Sequence, residues 1–444
     1  MTQIHFLPQA LEALRRLERA GFEAYAVGGC VRDLVRGKPP KDWDLTTSAR
    51  PEQIQHVFAE EKQLLIGMHH GTVTVILQGC PLEITTYRAD GDYSDHRHPD
   101  GVRFLHSIEE DLARRDFTMN AMALHPQKGL IDPFGGRQDI QNKIIRCVGD
   151  GERRFEEDGL RILRGVRFAG ETGFSIEKQT RTAMEKKAVL LREIPGERLQ
   201  TELSKLLVSP YVGRALRRCQ QVLGSWLPEL AAMFGCDQAS PHHLYDVWEH
   251  TVQAVEIASD PMEIRLTMLL HDIGKPVVRT FDETGRGHFA GHQEAGAAIA
   301  RPILERLRFS RRTIDLVHFL IGHHDQVFPE DLAGTRRLLA EIGEEKYRAL
   351  LQVKKADCCA KGLDYVRVGI LQKNHNMLEQ VLRSHPCLTV GELAIRGTDL
   401  MQMGYQGPEI GKALRWLLQQ VWEEPENNTQ EKLKELLECR GLYG

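Results

Sequence analysis

The chain has 444 residues, enough for about three domains, and its 41% hydrophobic and 27% charged content is that of an ordinary folded protein rather than a disordered or fibrous one. A net charge of −4 argues against a general attraction to nucleic acid, so an RNA partner would need a local basic surface. Nine cysteines occur without a Cys-x-x-Cys spacing, which argues against a zinc ribbon or a disulfide frame. No run approaches the roughly 18 apolar residues of a membrane helix, and the N-terminus lacks a charged-then-apolar signal segment, so the expected compartment is the cytoplasm, with no membrane partner.

Leu7, Leu11, Leu14 and Leu17 recur at helical spacing and predict an amphipathic packing helix over residues 7–20. A short apolar strand, Ala24 to Val27, then runs into Gly28-Gly29, with a helix expected from Cys30. Glycines at such a junction let the backbone approach a phosphate, and Arg32 in the first turn adds a charged grip. Pro39-Pro40 ends the helix, and a second strand is expected to carry Asp42 and Asp44. Residues two apart on a strand share a face, so the two carboxylates can hold one divalent metal. Singly, a Gly-Gly is a turn and an Asp-x-Asp a solvated loop. Together they suit metal-assisted attack on a nucleoside triphosphate.

Pro51 starts a helix through about Glu60, followed by strands over Thr72 to Leu77 and Leu82 to Arg88. On the second of these, Glu83 is either a third acid near Asp42 and Asp44 or an exposed strand residue. Residues 89–107 are polar and rich in turn formers, as in a mobile loop. In Arg114-Arg115-Asp116-Phe117-Thr118-Met119-Asn120-Ala121 the arginines can clamp a triphosphate and Asp116 can accept from a ribose hydroxyl. Asp132 to Gly136 makes a turn, and Ile144 to Val148 reads as a strand closing the head.

Nearly everything after that reads as helix. Over residues 153–169, Glu157, Asp158 and Arg161 share a helical face that Arg164 and Arg167 extend. This is a solvated salt-bridge row, or a protein template for a base. A carboxylate accepts from the exocyclic amine of C or A and a guanidinium donates to a ring nitrogen, whereas U and G present the opposite polarity. Gly159 and Gly165 weaken that helix. Helices over 197–207 and 211–223, with Arg214, Arg217 and Arg218, can meet an RNA backbone, and 224–240 reads as a hinge.

A second constellation follows: His250, His271-Asp272, His292, His323-His324 and Asp357. Adjacent His and Asp with a distant His and Asp on other helices can surround one divalent cation.

The Tyr25–Thr47 stretch closely resembles the first motif of the nucleotidyltransferase family of class II CCA-adding enzymes and bacterial poly(A) polymerases. The Arg114–Ala121 run resembles that family's ribose-contacting motif, 153–169 its Glu-Asp-x-x-Arg element, 89–107 its flexible loop, and the Gly397-Thr-Asp-Leu-Met and Gly407-Pro-Glu-Ile-Gly-Lys runs its C-terminal segment. The order of residues around His271-Asp272 is similar to HD-family phosphohydrolases, whose four usual ligands match His250, His271, Asp272 and Asp357. His292, His323 and His324 are extra and fit dinuclear members.

The resemblance implies an α+β chain. A small mixed-sheet nucleotidyltransferase head spans 1–150, a helical neck and RNA-binding body 151–230, an HD domain 231–362 and a helical tail 363–444. It further implies CCA addition to tRNA from CTP and ATP, with no DNA partner. Asp42, Asp44 and Glu83 would be catalytic around Mg2+, with Gly28, Gly29, Arg32, Arg115 and Asp116 on the nucleotide's phosphates and ribose. Glu157, Asp158, Arg161, Arg164 and Arg167 would meet the base. The HD unit would hold Mn2+, Ni2+ or a similar ion, or Mg2+, for phosphatase or 2′,3′-cyclic phosphodiesterase activity. A poly(A) polymerase and an HD hydrolase with a vestigial head are the alternatives.

Overall fold

The computed structural model describes residues 5–68, 71–90, 102–105, 107–239, 244–258, 261–361 and 365–441, and the chain divides into two compact units, 1–231 and 232–444. The first opens with α1 (Pro8–Arg19), which buries Ala10, Ala13, Leu14 and Leu17 on one face, as its periodicity predicts. There follow β1 (Ala24–Val27), α2 (Gly29–Val35), β2 (Asp44–Thr47), α3 (Pro51–Val57), β3 (Lys62–Leu64), β4 (Thr72–Leu77) and β5 (Cys80–Thr86). Next are β6 (Arg88–Asp90), β7 (Val102–Phe104), α4 (Ile108–Ala113), a 3-10 turn at Thr118–Asn120, β8 (Ala123–His125), β9 (Gly129–Ile131) and α5 (Gly136–Gln141). Most of the predicted loop 89–107 lies outside the described residues.

Seven strands form one mixed sheet in the order β3-β4-β5-β2-β1-β8-β9. The alternation Thr-Val-Thr-Val-Ile-Leu buries Val73, Val75 and Leu77 on one face of β4. Gln78 and Gly79, both at positive φ (50° and 79°), make the two-residue turn to β5. That strand therefore begins at Cys80, two residues before its predicted start. β2 runs antiparallel to β1 but parallel to β5, and the parallel register sets Asp44 opposite Glu83. Tyr25, Val27, Tyr87, Leu112 and Ala123 share a buried cluster that joins β1 and β8 to α4.

Several expectations need correction. The second strand starts at Asp44, so Asp42 stands in the bend before it rather than on it. The strand expected over Ile144 to Val148 is shorter, β10 (Ile144–Ile145), and it pairs in parallel with β11 (Ser175–Ile176), outside the seven-stranded sheet. Residues 153–169 are two helices, α6 (Gly151–Glu157) and α7 (Leu160–Thr172), with Asp158 extended between them at φ −145°, ψ 103°. The break is held by Asp158 itself, whose carboxylate accepts from the Leu160 amide (3.1 Å) and from both terminal nitrogens of Arg198 (3.2 and 2.8 Å). Gly165 stays inside α7 for packing: a Cβ there would stand 2.9 Å from the Phe117 ring.

The unit ends with α8 (Lys178–Lys187), α9 (Gly196–Leu207), α10 (Val212–Arg218), α11 (Gln220–Trp226) and α12 (Pro228–Ala231). The helix predicted over 211–223 is thus interrupted at Cys219, and part of the predicted hinge is helical. One contact makes a sharp prediction. A Cβ on Gly136 would lie 2.1 Å from the Thr118 carbonyl oxygen, in the turn that carries Asn120. Backbone cannot yield as a side-chain tip does, so Gly136→Ala should destabilise the protein by about 1–3 kcal/mol. A melting temperature within a degree of wild type would contradict this packing.

The second unit contains α13 (Val247–Ile257), α14 (Met262–Leu270), α15 (Lys275–Val278), β12 (Thr280–Phe281), β13 (Gly287–His288), α16 (His292–Arg306) and α17 (Arg311–His323). It continues with α18 (Leu332–Ala360), α19 (Tyr365–Arg383), α20 (Gly397–Gln402), α21 (Pro408–Glu423) and α22 (Gln430–Gly441). Gly343, at φ 78°, kinks α18. Leu400, Leu417 and Leu433 centre a separate core for the last helices. All nine cysteines are free thiols, and no described helix is long and apolar enough to cross a membrane.

Candidate functional site

The head sheet and the neck helices of the first unit meet around a cleft of about 420 Å³. Its wall takes Gly28, Gly29 and Arg32 from the β1–α2 junction, Asp44 from β2, and Arg114, Arg115, Asp116 and Asn120 from the segment after α4. Asp158, Arg161, Arg164, Arg167 and Phe168 come from the α6–α7 break and α7, and Arg198 from α9. Seven arginines thus face three aspartates, which suits a polyanion. Gly28 sits at φ 72°, and a Cβ there would come within 3.0 Å of Arg115 Nη1. Only glycine keeps that wall open.

Two further acids act on Asp44. Asp44 faces Glu83 across the parallel strands, and burial, Glu83 and Asp42 together push its carboxyl up to about 6 against the pull of Arg115. A half-buried acid crowded by two more is a place where a divalent cation would be stabilised. Asp42 and Glu83 are exposed and stand outside the cleft wall itself, as does Glu157.

The arginines are pre-set by partners. Arg32 Nη1 donates to Asn120 Oδ1 (3.1 Å), and Asn120 Nδ2 donates to Asp116 Oδ1 (3.2 Å). Arg164 Nε donates to Asp116 Oδ2 (2.8 Å). Burial alone would raise the Asp116 carboxyl; Arg164, Asn120 and the Phe117 amide hold it down at about 2, so it stays ionised. Arg161 donates to Glu157 (2.7 Å) and to the Arg154 and Arg114 carbonyls (3.0 and 3.1 Å). Arg167 pairs with Glu202 and Glu171. The guanidiniums of Arg32, Arg164 and Arg167 stand 5.3, 5.4 and 4.0 Å from the centre of the Phe168 ring. Sequence reasoning missed Asn120, Phe168, Arg198 and Glu202 as members of this network. Asn120 had a signal, since it lies inside the Arg114–Ala121 run. On α10, Arg214 and Arg218 donate to the Gly173 carbonyl (2.8 Å) and Ser175 Oγ (2.7 Å).

The second unit gathers a different set. His250 lies on α13, His271 and Asp272 follow α14, His292 opens α16, His324 follows α17 and Asp357 lies on α18. All six are buried. His250 Nε2 is 3.1 Å from Asp357 Oδ1 and 3.3 Å from His271 Nε2, which is 3.3 Å from Asp272 Oδ2. The other oxygen of Asp272 faces His292 and His324 at 3.7 and 3.8 Å, and their Nε2 atoms are 3.1 Å apart. A Cβ on Gly274 would lie 2.3 Å from the His292 carbonyl oxygen, so glycine lets the His-Asp turn sit against α16.

His271, His292 and His324 each bond through Nδ1 to a main-chain carbonyl, of Met268, Phe289 and Ile321, at 2.7–2.8 Å. Those bonds fix the tautomer and turn the Nε2 lone pairs inward. Burial lowers His292, and pushes His324 down to about 4 with help from His271, so both imidazoles are neutral donors at neutral pH. Burial opposes the charges of Asp272 and Asp357. Even so, His271 and Lys275 beside the first, and Lys361 and His250 beside the second, hold both well below the usual carboxylate range. Asp272 is 1% exposed; Lys275 Nζ lies 2.7 Å from its Oδ2, while its Oδ1 accepts no hydrogen bond. Nitrogen donors, ionised acids and an unbonded buried oxygen fit a divalent cation.

His323, the other half of the predicted pair, is exposed and stacks on Phe319 at 4.1 Å, away from the group. Asp325 was missed: it stands 3.5 Å from His292 and 4.0 Å from His324.

The family described as "Poly A polymerase head domain" matches residues 24–146, "Probable RNA and SrmB- binding site of polymerase A" matches 173–233, and "HD domain" matches 242–362. The CCA-adding enzyme of Geobacillus kaustophilus (strain HTA426) is 33% identical over 428 residues, covering 96% of this chain and 94% of its own length. That of Geobacillus stearothermophilus is 34% identical over 428 residues with the same shares. The crystal structure of the Bacillus stearothermophilus CCA-adding enzyme in complex with CTP aligns with a TM-score of 0.75 and 30% identity, covering 99% of this chain and 100% of that one. With likeness running through head, neck and tail, the chain belongs to the CCA-adding enzymes.

Proposed function

We infer that the chain adds two CMP units and one AMP to the 3′ end of tRNA, from CTP and ATP, with release of pyrophosphate. The observation that carries this is the arginine-lined cleft on which the Gly28-Gly29, Asp44, Arg114–Asp116 and Asp158–Arg161 motifs converge, in a chain related over 96% of its length to a CCA-adding enzyme. Asp42, Asp44 and Glu83 would hold Mg2+. When bound, that ion supplies charge neutralisation at the phosphates and lowers the pKa of the attacking 3′-hydroxyl. Gly28 and Gly29 let the triphosphate approach the backbone, and Arg32 and Arg115 bind its oxygens. Asp116, ionised and fixed by Arg164, orients the ribose side of the cleft.

Base choice falls to Asp158 and Arg161. Arg198 holds the Asp158 carboxylate in one plane and leaves it lone pairs with which to accept from an exocyclic amine. Glu157 and two carbonyls orient Arg161, while Arg164 and Arg167 extend the same wall. Asp158→Ala should remove a preference worth about 1–3 kcal/mol per bidentate contact and raise UMP incorporation relative to CMP. Single-turnover incorporation of each labelled nucleotide into tRNA lacking its 3′ end tests this. An unchanged UMP-to-CMP ratio would return Asp158 to a purely structural role.

The division into head (1–150), neck and body (151–230), HD domain (231–362) and tail (363–444) is supported by family matches that end at 146, 233 and 362. For the HD domain we propose a metal-dependent phosphohydrolase acting on phosphate monoester or 2′,3′-cyclic phosphate ends. His250, His271, Asp272 and Asp357 would be ligands, joined by His292 and His324 and by Asp325 beside them. The preponderance of imidazole favours Mn2+, Ni2+ or a similar ion over Mg2+.

A further inference from the structure

Every carboxylate of the second centre already carries an ammonium. Lys275 Nζ lies 2.7 Å from Asp272, Lys361 Nζ 2.8 Å from Asp357 and Lys354 Nζ 3.2 Å from Asp325. Each of the three acids is thus already paired with a lysine. A divalent cation entering this group would bring surplus positive charge into a largely buried site, which is costly unless the lysines let go or an anion follows.

The three lysines are not equivalent. Lys275 is buried, with its Nζ also 2.8 Å from Gln238 Oε1 and 5.5 Å from the centre of the Phe289 ring, so it is held in place. Lys354 lies on α18 three residues before Asp357, and Lys361 caps the end of that helix four residues after it, on the same side. Their side chains keep 19% and 16% exposure, and each ends on a single carboxylate. A long flexible stem with one ionic partner can change partners without disturbing the helix.

We propose that Lys354 and Lys361 are the phosphate ligands of the second centre, parked on Asp325 and Asp357 until a cation takes those carboxylates, then turned to the substrate's phosphate group. This rests on the second centre being a divalent-metal site. The same ammonium competes with the cation and attracts the anion, so its removal acts in opposite directions on the two ligands. A residue that only supports the fold would weaken both.

The test uses the full chain carrying Asp42→Ala and Asp44→Ala, so that the head takes no metal. Manganese binding is read by paramagnetic resonance, and inorganic phosphate binding to the manganese-loaded protein by calorimetry. Lys361→Met and Lys354→Met should each raise manganese affinity several-fold and lower phosphate affinity by about tenfold. Lys361→Arg, which keeps the charge, should retain phosphate binding. A methionine variant that weakens both ligands, or leaves phosphate affinity unchanged, overturns the proposal. If the parent binds manganese but takes phosphate equally well without it, the lysine exchange fails while the metal centre stands. A parent that binds no manganese overturns both.

Discussion

Asp44→Ala abolishes CMP and AMP addition, by at least about 10³-fold, while tRNA affinity stays near normal. Lewis-acid stabilisation of a transferring phosphoryl group amounts to several kcal/mol, and each 1.36 kcal/mol is about tenfold in rate. Of Asp42, Asp44 and Glu83, Asp44 is the one that lines the cleft, and the other two act on it directly. Asp42→Ala should have a loss of the same order, because the bend before β2 sets its charge beside Asp44. The fold should not suffer. A carboxyl that burial and two neighbours push up to about 6 is held at a cost, and alanine removes that cost. The pattern to look for is therefore an unchanged melting temperature with no single-turnover incorporation at saturating magnesium. Near-normal incorporation by either variant contradicts the assignment.

The second large effect lies in the other unit. His271→Ala with Asp272→Ala should eliminate metal-dependent hydrolysis of 2′,3′-cyclic phosphate ends and leave CCA addition running. Asp272 offers one oxygen to His271 and His250 and the other to His292 and His324, so its loss takes a ligand from both halves of the group. Lys275 loses its carboxylate partner but keeps Gln238, so some stability should go, and a thermal melt must accompany the assay. Purified protein with manganese, nickel or magnesium on both substrates gives the readout. Hydrolysis surviving in the double variant removes the HD assignment; CCA addition lost in a folded variant shows the two centres to be coupled.

What the sequence reveals follows the range of each interaction. Gly28-Gly29, Asp42-x-Asp44 and Arg114-Arg115-Asp116 are short contiguous runs, and a short run keeps its chemistry wherever the fold carries it. The mixed α+β architecture was legible from the same runs and from the helical periodicity after residue 150. The break at Asp158 was not, because what holds it is Arg198, 40 residues away, and a tertiary contact leaves no period in the chain. Glu202 on Arg167 and Lys354 on Asp325 were hidden for the same reason. Composition could not choose between His323 and His324. Adjacent residues near a helix end point about 100° apart, and only packing against α16 decides which one turns inward. Asp42 was misplaced onto the strand because strand boundaries carry the weakest local signal.

The most direct test of the central claim is the sequence of the 3′ ends made by the wild-type chain from tRNA lacking its terminus, with CTP and ATP both present. The account predicts products that end in CCA and stop, because one cleft reads C twice and A once on a growing primer. Runs of A added without C, or C without a following A, would contradict it.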